Sequence, residues 1–188
     1  MLASVPLLLF ALVIIATLLR GRAVRARSGI GAWAFFEARG VQRAAGLAFA
    51  LSIAMLFAAA TLLASGRIAA PPTLLAAGSA VMALGTLVVV AAQVQMGAAW
   101  RVGVRQGDAP LFVTAGLFRF SRNPIFTGMI AMAAGAALAI PAWWTAATAL
   151  AFALACGVQV RIEEAHLSRA FGAAYDDFRH RVPRWLIA

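Results

Sequence analysis

The chain has 188 residues, of which 64% are hydrophobic and 12% charged, about half the charged share of an ordinary soluble domain. Its net charge of +10 comes from sixteen arginines, with no lysine, set against six acidic residues. The arginines cluster beside apolar runs, where membrane topology alone accounts for them, so a nucleic-acid partner is set aside.

Apolar runs of about twenty residues recur, which indicates an all-α, polytopic integral membrane protein with about five transmembrane helices. The alternating ten-residue segments of a membrane β-barrel are absent from the sequence. The single cysteine, Cys156, lies in an apolar run and leaves no intrachain disulfide or cysteine metal cluster. His166 and His180 are too far apart to suggest a metal site, so no metal is expected.

The first apolar segment runs from about Leu2 to Leu19. Its positive charges follow it, at Arg20, Arg22, Arg25 and Arg27, whereas a signal peptide carries them in front. That order predicts a retained helix with its N-terminus outside and its arginines in the cytoplasm. Residues 20–43 form the first cytoplasmic connection, with Trp33, Phe35 and Phe36 suited to the headgroup region and Glu37, Arg39 and Arg43 as a polar border.

The second segment runs from about Ala44 to Ser65. Gly66, Arg67, Pro71 and Pro72 then make a short outer turn. The third runs from about Thr73 to Ala92 and continues into a polar stretch containing Gln93 and Gln95. Buried amides at a membrane boundary need partners, either on a neighbouring helix or on a ligand. Trp100 and Arg101 read as interface anchors.

Residues 101–121 form the second cytoplasmic connection, interrupted by Gly103, Gly107, Asp108, Pro110 and Gly116. Its segment 111–118 is too apolar for a solvated linker and is expected to pack under the bundle. It leads into Arg119-Phe120-Ser121-Arg122-Asn123-Pro124, where the arginines mark a boundary and Pro124 suits a first helical turn. The fourth segment runs from Pro124 to Ile140, with Ala131 and Gly135 at a spacing that permits close helix approach. Pro141 marks a tight turn flanked by Trp143 and Trp144 at the outer interface, and the fifth segment runs from about Ala142 to Val160. Segments four and five make an antiparallel hairpin.

On this topology the connections 20–43, 93–123 and 161–188 hold every acidic residue and every arginine except Arg67. A positive-inside bias does not require the acids to follow, so the cytoplasmic side is where polar chemistry is expected. The chain divides into three N-terminal spans, residues 1–92, and a more polar region with the hairpin and a C-terminal amphipathic helix, residues 93–188.

After Val160, Leu167, Phe171, Ala174 and Phe178 recur at helical spacing and predict one amphipathic helix that Pro183 ends. Asp177 and Arg181 stand as an i,i+4 pair. A helix lying on the inner membrane surface explains the stripe and the arginines. It does not explain the adjacent Glu163 and Glu164 beside an anionic surface.

These residues carry a resemblance. Val113-Thr114-Ala115-Gly116-Leu117-Phe118-Arg119 followed by Arg122-Asn123-Pro124-Ile125-Phe126-Thr127-Gly128 resembles the Arg-His-Pro-x-Tyr-x-Gly block of the isoprenylcysteine carboxyl methyltransferase family. That family belongs to a wider group that includes the phospholipid methyltransferases. Glu163-Glu164-x-x-Leu167-x-x-x-Phe171-Gly172-x-x-Tyr175, followed by Val182-Pro183-Arg184, resembles its second block. The match covers roughly residues 93–185.

The resemblance implies an S-adenosylmethionine-dependent methyltransferase in the inner (cytoplasmic) membrane, with a lipophilic acceptor entering from the bilayer. It implies a cofactor site built by Arg122, Asn123, Pro124, Phe126 and Gly128, with Gly116, Leu117 and Arg119 nearby and Glu163 and Glu164 completing it. Arg122 and Glu164 are the candidate catalytic pair. Asn123 stands where the family often has His, and Phe126 and Phe178 where it often has Tyr.

The chemistry is compatible with that implication. A guanidinium suits the cofactor's carboxylate and a glutamate its ammonium or ribose. A sulfonium is a good leaving group, so catalysis rests on proximity, orientation and exclusion of water. A carboxylate acceptor needs no base, whereas an amine does, and Glu163 or Glu164 is then the candidate. Two other classes are the alternatives: a nicotinamide-dependent membrane reductase of sterol-reductase-like fold, usually much longer, and a non-catalytic membrane scaffold or transporter.

Overall fold

The computed structural model describes residues 2–28, 39–100 and 113–186. A short 3₁₀ turn, Leu2–Ser4, opens into α1 (Val5–Ser28). Then come α2 (Gly40–Ala64), α3 (Pro72–Met96), 3₁₀ turns at Gly97–Ala99 and Gly116–Arg119, α4 (Pro124–Ala139), α5 (Trp143–Phe171) and α6 (Ala173–Arg181). The expectations for Trp33, Phe35, Phe36 and Glu37, and those for Arg101, Gly103, Gly107, Asp108, Pro110, Leu111 and Phe112, lie outside the described residues.

The five long helices alternate in direction, and two clusters of side chains at opposite ends show it. At one end Ala3, Leu63, Leu75, Ile140 and Trp144 pack together, joining the start of α1, the end of α2, the start of α3 and the turn between α4 and α5. At the other end Val24 of α1 packs with Trp100, Met96 and Ile125. The middle is filled by residues such as Phe10, Leu56, Met82, Met132 and Phe152. Helices α1, α2, α3 and α5 are long and apolar enough to cross a membrane. Helix α4 has 16 residues, about 24 Å at the helical rise, and is the short member of the set.

The closest approach in the bundle is between α3 and α4. A Cβ placed on Gly85 would lie 2.6 Å from the Gly128 oxygen, and one on Gly128 would lie 2.7 Å from the Gly85 oxygen. Gly135 meets Gly78 in the same way, at 2.7 Å. Both helices carry a glycine every seventh residue, two turns apart, so an antiparallel pair brings the backbones together twice. The spacing of Ala131 and Gly135 anticipated a close approach, but the partner of Gly135 in the seam is Gly128, which is buried, while Ala131 is only half-buried. The expected α4–α5 hairpin forms as well. Its turn is tied by the Thr145 hydroxyl, which donates to the Ile140 carbonyl at 2.6 Å.

Four expectations are corrected. Helix α1 runs on past Leu19 through Arg20, Arg22 and Arg25, because the stretch has no proline and its one glycine, Gly21, is tolerated in a helix interior at a cost of about 1 kcal/mol. Trp100 is buried against Val24 rather than anchored at an interface. The single C-terminal amphipathic helix is two helices: α5 continues to Phe171, and Gly172, at φ +53° and ψ −132°, turns the chain into α6. That backbone conformation suits glycine. The apolar stripe is used inside this elbow, where Leu167 and Phe171 of α5 pack on Tyr175 and Phe178 of α6 and on Val182. Along α6 the ion pair is Arg179 to Asp176 at 3.4 Å. Arg181 donates to the Asp177 carbonyl at 3.2 Å instead of to its carboxylate.

Candidate functional site

The elbow returns the chain to the start of α4, and the return builds a polar clasp. Arg122 Nε donates to Glu164 Oε1 at 3.1 Å. The Asn123 amide donates to the same oxygen at 3.0 Å. Arg184 reaches the carboxylate from the other side, with Nε and Nη2 on Oε2 at 3.1 and 2.8 Å. The other nitrogen of Arg122 donates to the carbonyls of Arg179, at 3.0 Å, and Val182. The backbone joins in: Arg122 N donates to the Pro183 carbonyl at 2.9 Å, and the Ser121 hydroxyl donates to the Arg184 carbonyl at 3.0 Å.

Both Glu164 oxygens are thus taken by cationic or amide donors, and none of these donors is a ligand. A carboxylate held this way is suited to fixing geometry and poorly suited to moving protons. Its hydrogen bonds hold the Arg184 guanidinium above its ordinary range. Burial, with Glu164 close by, pushes the Tyr175 phenol up.

Next to the clasp lies a cavity of about 320 Å³. Its walls are apolar and come from α1, α2, α3 and α4, through residues such as Val13, Phe49, Met96, Trp100 and Phe126. Its polar groups are Thr17, Gln93, Gln159 and Glu163. Successive residues on a helix point about 100° apart, so Glu164 faces the clasp while Glu163 faces the cavity. Gln159 lies four residues before Glu163 and shares its face of α5. A smaller void of about 40 Å³ shares Val13, Ile14, Ile53 and Met129 with the first and continues to Phe10 and Phe152.

The two amides singled out at the end of α3 both bond protein. Gln93 Nε2 donates to the Thr17 hydroxyl of α1 at 2.9 Å while also lining the cavity. Gln95 Oε1 accepts from Leu117 N at 2.7 Å, pinning the 3₁₀ turn that precedes Arg119.

The candidate residues therefore separate into groups. Arg122, Asn123 and Glu164 meet in the clasp, and Pro124 is buried at the first turn of α4 below it. Phe126 and Glu163 line the cavity. Gly116 and Leu117 sit on Gln95, Arg119 is exposed, and Gly128 is packed on α3. Arg184, Gln159 and Trp100 were not among the candidates. Arg184 stood at the end of the second block without an assigned role. Gln159 was legible as a lone amide in an apolar run, one helical turn before Glu163.

Among the described residues, the buried atoms Gln159 Oε1 and Arg20 Nε at this end of the bundle have no hydrogen-bond partner. Arg20 spends another guanidinium nitrogen on the Gly97 carbonyl, beside Met96. An orphaned acceptor and an orphaned donor near one cavity are what a zwitterionic ligand would satisfy.

No curated protein and no solved structure matches the chain. Residues 73–174 match the family model of the phospholipid methyltransferases, a span that holds α3, α4, α5, the Arg122–Asn123 junction and both glutamates. That is more than half of the 188 residues. The chain belongs to the phospholipid methyltransferase family, integral membrane enzymes that transfer a methyl group from S-adenosylmethionine to lipid-like acceptors.

Proposed function

We propose that the polar end of the bundle is the catalytic end, and that the cavity beside Glu163 is where a lipophilic acceptor meets the cofactor. The observation that carries this reading is the juxtaposition of an apolar cavity with Glu163 and Gln159, next to a clasp that locks the start of α4. The residues present fit S-adenosylmethionine. Gln159 Oε1 suits its ammonium or a ribose hydroxyl, and Arg20 Nε suits its carboxylate. The cofactor supplies an activated methyl group. Glu163 lies on the wall where a carboxylate can face positive charge, and Phe126 and Trp100 exclude water from the reacting atoms.

Arg122, Asn123 and Glu164 act as positioning residues. They hold the junction of the 3₁₀ turn and α4 against residues 179–184, and so set one wall of the cofactor site together with Gly116, Leu117, Arg119, Pro124 and Gly128. The catalytic region is residues 93–188, and residues 1–92 contribute the facing wall. The two sequence blocks support an affinity with the isoprenylcysteine carboxyl methyltransferases within the wider family. The distribution of charge supports an inner-membrane location with the N-terminus outside and this end in the cytoplasm.

The test is a methyl-transfer screen with labelled cofactor against total membrane lipid and small amphiphiles. Glu163→Gln and Phe126→Ala should lower turnover by tenfold or more. Undiminished turnover in both variants would remove the cavity from the catalytic site. Single-cysteine labelling from each side of sealed vesicles checks the orientation: a cysteine at position 173 should react only from the cytoplasmic side.

A further inference from the structure

The cavity beside Glu163 is the near part of a longer slot. The smaller void, about 40 Å³, continues from it past Ile53 and Met129 and ends on Phe10, Leu56, Ala133 and Phe152. On each of α1, α2, α4 and α5 its lining lies closer to the outer end of the bundle than that of the cavity, so the slot runs lengthwise. All four residues at its end are buried. Two of them are braced by other rings: Phe152 lies 4.8 Å from Phe49 of α2, and Phe10 meets Phe57 edge-on at 6.5 Å. Packed side chains therefore close the floor.

One flank of the slot opens between α1 and α2. Phe10, Ile14 and Leu18 follow at four-residue intervals along α1, and Phe10 turns that flank toward α2 by meeting Phe57. Nearer the polar end the two helices take different partners. Thr17 accepts from Gln93 of α3 at 2.9 Å and Arg20 donates to the Gly97 carbonyl, while Phe49 of α2 packs on α5. Ile14 and Leu18 line the cavity and are still 38% and 47% exposed. Part of a lipid can thus lie in the slot while the rest stays in the membrane. From Glu163 to Phe152 is eleven residues of α5, about 16 Å at the helical rise. Half of a hydrocarbon core is about 15 Å, so the slot is as deep as one leaflet. The cavity's volume of about 320 Å³ holds about ten groups of methylene size, taking each as about the 30 Å³ share of a water molecule.

Resting on the reading of this cavity as the acceptor's pocket, we propose that Phe10 and Phe152 set the length of the hydrocarbon chain that the acceptor places in the slot. Lipid tails are as apolar as these walls, so a chain gains nothing from the hydrophobic effect on moving from bilayer to slot. Discrimination comes from packing instead. A chain too short leaves the floor without contacts, and a chain too long meets the closed floor and lifts its head group away from the polar end. A chain of about ten carbons fills the space. Phe10 lies on α1, outside the matched span 73–174, so family membership alone does not fix this selection.

The test is photolabelling of the full chain in phosphatidylcholine vesicles. The probes are phosphatidylethanolamines with one chain of about six, ten or fourteen carbons, each ending in a diazirine, and labelled residues are located by mass spectrometry. The ten-carbon chain should label Phe10, Ala133 or Phe152, and the six-carbon chain should label Ile53 or Met129 instead. The fourteen-carbon chain should label the floor at least fivefold less than the ten-carbon chain. Leu12, Leu150 and Leu154, which are exposed on the outer faces of α1 and α5, report lipid that merely surrounds the bundle. Ala133→Leu, which fills the void, should cut floor labelling by the ten-carbon chain at least threefold and leave the six-carbon chain unchanged. Phe152→Leu should raise floor labelling by the fourteen-carbon chain. The map of the unmodified chain decides the matter even if Ala133→Leu does not fold. Labelling confined to the outer faces, or floor labelling independent of chain length, would overturn the proposal. Turnover is measured separately. If Phe126→Ala lowers turnover while labels stay on the outer faces, the catalytic cavity stands and the chain-length reading falls. If the floor is labelled as expected but Phe126→Ala leaves turnover unchanged, the chain in the slot is not the acceptor's, and the proposal falls with the reading it rests on.

Discussion

Replacing Glu164 with Gln tests what the clasp does. The substitution preserves shape and removes charge. One oxygen still accepts from Arg122 and Asn123, but the new amide nitrogen faces the Arg184 guanidinium, donor against donor. The Arg122 and Glu164 side chains are 9% and 7% exposed, and breaking a buried pair costs about 3–5 kcal/mol. Two features reduce that figure. Arg122 keeps the carbonyls of Arg179 and Val182 as acceptors. Arg184 is 36% exposed, so its share is close to that of a surface pair, about 0.5 kcal/mol. A net loss of about 2–3 kcal/mol follows, which for a chain of this size is a fall in melting temperature of roughly 4–12 °C.

The assay is thermal unfolding in detergent for wild type, Glu164→Gln, Arg122→Met and the double variant. The double variant should lose less than the sum of the singles, because the pair is coupled. Turnover against pH gives the second readout. If Glu164 only positions α4, turnover falls by a constant factor and the profile keeps its shape. A melting temperature unchanged within 1 °C, or loss of the ascending limb of the pH profile, would refute the reasoning and return Glu164 to the role of base.

The other predictions address separate parts of the molecule. Gly128→Leu should prevent folding or cost more than about 3 kcal/mol, because the Gly85 oxygen occupies the space a Cβ needs; a stably folded variant by size-exclusion chromatography would show that α3 and α4 can separate. Gly172→Ala meets no steric obstacle but forces alanine to a positive φ. A cost of about 1–3 kcal/mol is expected, and limited proteolysis should report faster cleavage around the elbow. Gln159→Leu removes an unsatisfied buried oxygen and should raise the stability of the free protein by about 1 kcal/mol; a destabilised variant would mean the oxygen has a partner. Gln95→Ala frees Leu117 N and should cost about 1 kcal/mol, seen as faster amide exchange in the turn Gly116–Arg119.

What the sequence alone determined is what composition and spacing encode. The apolar runs separated by glycine, proline and arginine placed the five long helices, because a chain in lipid must satisfy its backbone within each helix. The ends were less legible. Nothing local stops α1 at Leu19 or α5 at Val160, and both helices run on until the chain must turn. That Arg122 and Asn123 share one end of the bundle with Glu163 and Glu164 was implied by two blocks with a hairpin between them, since an antiparallel hairpin returns its ends to the same side.

Tertiary structure decided the rest. Whether Glu163 or Glu164 closes the clasp depends on the rotation of α5 about its axis, and packing sets that rotation. The burial of Trp100, the glycine seam between α3 and α4, and the use of the C-terminal stripe inside an elbow all depend on which surfaces meet. Spacing shows which side chains share a face, but only the assembled bundle shows what that face touches, so the cavity that distinguishes Glu163 from its neighbour became visible only in the fold.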